Sequence, residues 1–223
     1  MKKIEYNLKR ELPLILIIIL SFAISIYFYP MMPDRVPTHW NFRGEIDGYS
    51  GKFSGTFMMP IMSLIMYGLF LVLPVLDPKK NNYERFKSTY VFFRYLFHIF
   101  FLGMQTMIIL AALGYKVDIS RWVMFSISLL FMLMGNVMGR VKHNYFVGIR
   151  TPWTLASEEV WVKTHRMAAI LWTVGGFIGA VLSLLKIGLA WILVTIAFIP
   201  TLIPVVYSYL LFNKISKTKN SDS

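Results

Sequence analysis

Residues 144–161, NYFVGIRTPWTLASEEVW, bring together side-chain types suited to gripping a partner. Gly148 supplies a bend, and Arg150 carries five donors in a planar fork that matches a carboxylate or a phosphate. Thr151 must be extended because Pro152 follows it. Thr154 or Ser157 can then cap a short helix whose first turn holds Glu158 and Glu159, favoured at the positive end of the helix dipole. With Trp153 and Trp161, the stretch reads as an arginine-and-aromatic platform for a protein, since these residue types dominate binding hot spots. The alternative is anchorage: both tryptophans at the headgroups, with Arg150 on a lipid phosphate or on Glu158 and Glu159. Bond-making chemistry has one candidate location, the loop that carries Asp34, His39, Glu45 and Asp47. A metal needs three or four convergent donors, and one histidine would have to recruit carboxylates from turns. No HExxH, GxSxG or paired-carboxylate pattern supports a hydrolase. Zero cysteines remove thiolate catalysis, thiolate-bound metal and disulfides. A metal-dependent membrane enzyme is therefore a second alternative; the preferred reading is non-enzymatic and without a cofactor.

The elements that must position these residues are membrane spans. Of 223 residues, 57% are hydrophobic and only 15% charged, against about 25% charged in soluble domains. Six apolar runs, near 12–29, 57–76, 95–113, 122–138, 167–185 and 189–212, have the length that crosses ~30 Å of hydrocarbon. The first is too long for the core of a signal peptide and reads as a retained helix. The fold class is thus all-α integral membrane, a six-transmembrane-helix bundle. With the N-terminus inside, 17 of the 23 Lys and Arg fall on cytoplasmic segments (1–10, 79–94, 140–166 and the tail). This positive-inside asymmetry predicts that both termini are cytoplasmic. It assigns the basic balance to anionic lipid headgroups and not to direct nucleic-acid binding.

In chain order, Pro30, Pro33 and Pro37 end the first span, and two tight turns, at 41–44 and at Asp47-Gly48, are expected to fold the outer loop into a compact cap. An interfacial belt of Trp40, Tyr49 and Phe53 is the competing reading. The loop 77–89 reads as a solvated connector. Arg94 is expected to snorkel to the inner headgroups, His98 to be a hydrogen-bonded interior histidine, and Gln105 to bond another helix. Small residues four apart (Gly135 and Gly139; Gly175, Gly176, Gly179 and Ala180) predict close helix contacts. Pro200 and Pro204 should kink the sixth helix and free carbonyls for neighbouring groups. Residues 158–166 are read as an amphipathic re-entry helix along the inner surface. The tail 213–223 is expected to be disordered.

GIRTPWTL followed by EEVW, with Asn136 and Asn144 upstream and Arg166 downstream, resembles the signature of the SdpI family of bacterial immunity proteins. His165 stands where that pattern carries Asn. The outer loop, PTHW followed by G-x-x-D-G-Y and Lys52, resembles the N-terminal module often joined to the family. The resemblance divides the chain into a two-helix module (1–90), a four-helix membrane domain (91–212) and the tail. It implies a multi-pass plasma-membrane protein that confers immunity to a secreted antimicrobial peptide and recruits a cytoplasmic transcriptional repressor to the membrane. It points to Asn136, Asn144, Gly148, Arg150, Thr151, Pro152, Trp153, Thr154, Glu159, Trp161 and Arg166 as partner-binding residues on the cytoplasmic loop. On the outer loop it points to Pro37, Thr38, His39, Trp40, Gly44, Asp47, Gly48 and Lys52 for ligand. A transporter of a peptide or small amphiphile is the first alternative; the scarcity of intramembrane carboxylates counts against it.

Overall fold

The computed structural model describes residues 8–41 and 45–221. Hydrocarbon offers no hydrogen bonds, so apolar runs of this length close their backbone bonds internally as helices. Helices α1 (Leu8–Phe28), α2 (Lys52–Leu76), α3 (Lys87–Ala112), α4 (Ile119–Met138) and α6 (Glu158–Leu184) are joined by the short α5 (Pro152–Ala156). The last crossing is composite: α7 (Leu189–Leu193), a π-helical turn Val194–Phe198, and α8 (Ile199–Ser221). Six helical segments are long and apolar enough to cross a membrane: Glu11–Met31, Lys52–Leu76, Lys80–Ala112, Ile119–Met138, Glu158–Leu184 and Trp191–Thr218. Consecutive crossings alternate in direction. The bundle therefore has a hairpin end, with the segment between α1 and α2, and a loop end, with residues 77–86 and 139–157.

Glycine sets the closest approach. A Cβ on Gly176 would sit 2.4 Å from the Met132 nitrogen, and one on Gly135 2.5 Å from the Thr173 nitrogen. Helices α4 and α6 thus touch backbone to backbone, as the small-residue spacing predicts. Gly175 likewise faces the Thr195 carbonyl of the π turn at 2.3 Å. Gly139 makes only ordinary contact with α6.

Prolines are accommodated by borrowed donors. A proline inside a helix leaves the carbonyl four residues earlier without its amide. For Pro60 that carbonyl is Thr56, which accepts from Ser25 Oγ at 2.7 Å; for Pro74 it is Phe70, which accepts from the Tyr90 hydroxyl at 2.7 Å. For Pro204 it is Pro200, which accepts from Trp172 Nε1 at 2.8 Å. Each donor lies on a different helix, so these bonds also hold the bundle together.

Helices α1 and α3 are joined by polar side chains. Gln105 bonds the Ser21 hydroxyl and donates to the Ser21 carbonyl (2.8 Å) and Ser25 Oγ (2.9 Å), as expected of an interior glutamine. His98 is fully buried and donates from Nδ1 to the Arg94 carbonyl at 2.5 Å. Arg94 departs from expectation. It is buried and forms a two-pronged ion pair with Glu11, under the ring of Tyr67. Snorkelling fails because α1 presents a carboxylate where the guanidinium would have turned to the headgroups.

Five further expectations are corrected. The outer loop is an antiparallel hairpin, β1 (Arg35–Trp40) and β2 (Ile46–Gly51), so the chain is not wholly helical. Asp47-Gly48 lies within β2, opposite a register shift at His39, and makes no turn; a Cβ on Gly48 would come within 2.7 Å of His39 Cβ. Residues 77–86 are no solvated connector: Lys80–Phe86 is a 3-10 helix that buries Tyr83 and Phe86 among aromatic neighbours. Residues 158–166 begin α6 without a break, and the tail continues α8 to Ser221. Both extensions follow from cooperativity, since adding a residue to an existing helix costs far less than starting a new one.

Candidate functional site

The loop end is organised around Trp161, which is fully buried on the first turn of α6. Its ring lies between His143 (centroids 5.0 Å apart) and His165 (4.0 Å), and its Nε1 donates to the Val141 carbonyl at 2.9 Å. The Ile149 amide donates to His165 Nε2 at 3.0 Å, so the proton sits on Nδ1, which donates to the Trp161 carbonyl at 2.8 Å. Gly148, at φ +117°, passes directly over this ring, where a Cβ would lie 2.4 Å from Nε2. Only glycine suits that backbone and that space. Ser157 caps α6 by accepting from the Val160 amide, with Glu158 and Glu159 in the first turn.

Asn144 is the second organiser, also fully buried. Its Oδ1 accepts from the amides of Phe146 (2.9 Å) and Val147 (2.6 Å), while its Nδ2 donates to the carbonyls of Lys142 (2.8 Å) and Val147 (2.9 Å). One amide side chain thus supplies the bonds that a loop without regular structure needs. From the neighbouring segment, Asn82 Nδ2 donates to the His143 carbonyl at 2.7 Å and Lys79 Nζ to His143 Nδ1 at 2.8 Å.

Burial first, and the Lys79 charge second, hold His143 below the usual histidine pKa. A depressed folded-state pKa means that the native loop binds fewer protons than the unfolded chain. Its contribution to stability is therefore complete above about pH 6.5 and falls as the pH drops below that value. Thermal unfolding and amide exchange of residues 142–150 should show a loss on going from pH 7.5 to 5, and the His143→Gln variant should lose part of that dependence.

The other candidates separate into framework and surface. Thr151, extended as expected, caps α5, and a reciprocal capping box with Thr154 closes that turn. Thr154 Oγ1 also donates to the Ile149 carbonyl at 2.8 Å. The Thr151 hydroxyl lies 3.0 Å from Ser208 Oγ, and Trp153 packs on Tyr209 with centroids 5.0 Å apart, so α5 is docked on α8. Arg150 is exposed and donates from Nη1 to the Tyr145 carbonyl at 3.1 Å. It pairs with neither Glu158 nor Glu159: the first lies 4.0 Å from Arg85, the second 2.7 Å from Lys163. Pro152 and Arg166 are exposed on α5 and α6, and Asn136 is exposed on α4, apart from the Asn144 network. Trp161, Asn144 and Thr154 offer no surface to a partner. Burial assigns them to building the loop, leaving Arg150, Pro152, Trp153, Glu159 and Arg166 on its face.

At the hairpin end, Pro37 is buried opposite Tyr49. The hydroxyls of Thr38 and Ser50 lie 3.0 Å apart, and His39 Nδ1 is 2.5 Å from Asp47 Oδ1 in the open. Trp40 is half-buried against the cluster of Met32, Val36, Ile108 and Ile109, and Lys52 lies 5.1 Å from the centre of the Tyr29 ring. Gly44 lies outside the described residues. Asn41 and Glu45 bond each other through backbone and side chain. Among the described residues no three His, Asp or Glu side chains gather where they could hold a metal ion.

Sequence reasoning passed over Asp77, Tyr83 and His143. Asp77 is 1% exposed; its Oδ1 accepts from the Lys79 amide (2.7 Å) and its Oδ2 from the Tyr145 amide (2.9 Å) and the Tyr83 hydroxyl (3.1 Å). The available signal was Asp77-Pro78 at the end of an apolar run, where the side chain can accept from the amide two residues on.

Six spanning helices, with a strand pair over one end and a hydrogen-bonded loop over the other, define a multi-pass membrane protein. The SdpI/YfhL protein family model matches residues 140–208, and that of a domain of unknown function, DUF1648, matches residues 16–64. Over 176 residues the chain is 32% identical to "Immunity protein SdpI" of Bacillus subtilis (strain 168), covering 79% of this chain and 82% of the relative. The chain belongs to the SdpI family. It is also 33% identical over 48 residues to "Uncharacterized membrane protein YbgB" of the same organism, covering 22% of this chain and 53% of that protein. No solved structure matches it.

Proposed function

We propose that this membrane protein confers immunity to a secreted, hydrophobic antimicrobial peptide, engaging it at the hairpin end and presenting the loop end to a cytoplasmic repressor. The reading rests on the identity with an immunity protein across four-fifths of both chains. Both termini and the loop end are cytoplasmic in this account. The grouping of Lys79, Lys80, Arg85, Lys87, Arg140, Lys142 and Arg150 at the loop end supports that orientation. The protein acts by binding, not by making bonds. Peptide and lipid are its membrane-side partners, and the exposed Arg150, with Trp153 beside it, meets the regulator. If the peptide swings the bundle between two states from 1:99 to 99:1, it must favour one of them by about 5.5 kcal/mol. Expression in a peptide-sensitive bacterium should protect it. Arg150→Ala and Trp153→Ala should each abolish membrane recruitment of the regulator with insertion intact; normal recruitment in both variants would remove the loop face from the mechanism.

A further inference from the structure

Asp77 and Glu11 are the two carboxylates buried among the described residues. Glu11 is answered by a guanidinium, whereas the acceptor oxygens of Asp77 are taken by two backbone amides and one hydroxyl. Such an arrangement spends a buried charge on placing backbone. The backbone placed is that of Tyr145, whose amide is held by Asp77 and whose carbonyl accepts from Arg150 Nη1. One peptide segment therefore joins the buried carboxylate to the exposed arginine. The Tyr83 hydroxyl adds a second strand to the link. Its single hydrogen faces both Asp77 Oδ2 at 3.1 Å and Asn144 Oδ1 at 3.5 Å.

Asp77 is also the far end of a rod. Helix α2 starts at Lys52, immediately after β2 ends at Gly51, and runs 25 residues to Leu76, about 37 Å at 1.5 Å per residue. Its first turn is packed against the hairpin, since a Cβ on Gly55 would meet Val36 Cβ at 2.4 Å and Val36 is fully buried. The carbonyls that its prolines release are held by Ser25 and Tyr90, which leaves those points braced. We propose that Asp77 is the positioning residue for Arg150, and that through α2 it couples the placement of the hairpin to the placement of the loop. This rests on the reading of Arg150 as the regulator contact; the coupling itself is measured without peptide or regulator.

The experiment is amide hydrogen exchange on the full chain in lipid nanodiscs, read at residues 142–150. Val36→Ala, at the opposite end of α2, should raise exchange there by about tenfold, the scale of a coupled pair. Asp77→Asn, which keeps size but loses an acceptor, should raise it on its own, and adding Val36→Ala should then change nothing further. Tyr83→Phe, a milder change, should give an intermediate rise and keep part of the response to Val36→Ala. Exchange in α4 and α6 near Ser128 and Gly176 serves as the folding control and should stay at the wild-type level. An unchanged loop in Val36→Ala, or effects of Val36→Ala and Asp77→Asn that simply multiply, would overturn the proposal. Intact coupling in a protein that gives no protection would overturn the immunity reading alone.

Discussion

Glu11→Ala is expected to cost about 3–5 kcal/mol, because it removes the carboxylate that pairs with the buried Arg94 guanidinium. Both side chains are at least nine-tenths buried, so water cannot replace the lost partner. Arg94→Ala should cost a similar amount from the other side. The double variant Glu11→Met/Arg94→Met should lose far less than either single alanine change, since well-packed apolar side chains carry no desolvation cost. Unfolding in mixed detergent micelles measures all three. A single-variant loss below about 1 kcal/mol, typical of a solvent-exposed pair, would show that the pair is open to water.

Trp161→Ala should be as damaging, at about 3–5 kcal/mol for a fully buried tryptophan. It removes the ring between His143 and His165 and leaves the Val141 carbonyl without its donor. The loss should be local first: exchange in residues 141–150 rises before that of the α4–α6 contact. Trp161→Phe keeps a smaller ring in the stack and loses the indole hydrogen bond, so it should cost less, about 1–3 kcal/mol. Equal losses for the two variants would mean that the hydrogen bond, and not the stack, builds the loop.

Much of this was legible in local sequence. Apolar run length gives six crossings, glycine spacing gives the α4–α6 contact, and Pro204 in the sixth helix gives a carbonyl that another helix must satisfy. The Gly148 bend, the extended Thr151 and the Ser157 cap also follow from residue type. What failed were readings that depend on partners distant in the chain. Arg94 looks like a snorkelling residue until α1 supplies Glu11, 83 positions earlier. Trp161 looks like a surface anchor until His143 and His165 close over it. Residues 77–89 carry charges enough to suggest a solvated loop, yet Tyr83 and Phe86 turn inward between them. In the outer loop, turn-forming residues hid an irregular strand pair, because Pro37 and Gly48 break the alternation that marks regular strands. Local rules read each residue's preference; long-range pairing decides which preference prevails.

Presenting Arg150 to a cytoplasmic regulator requires the two ends of the bundle to face opposite sides of the membrane, with the hairpin outside. The absence of cysteine allows a clean measurement. Tyr49→Cys in the hairpin and Tyr145→Cys in the loop place single thiols at exposed positions, 47% and 40% accessible. In intact cells a membrane-impermeant maleimide should label the Tyr49→Cys variant, and should reach the Tyr145→Cys variant only after permeabilisation. The reverse pattern would put the loop outside the cell, where no cytoplasmic regulator could meet it, and would contradict the account.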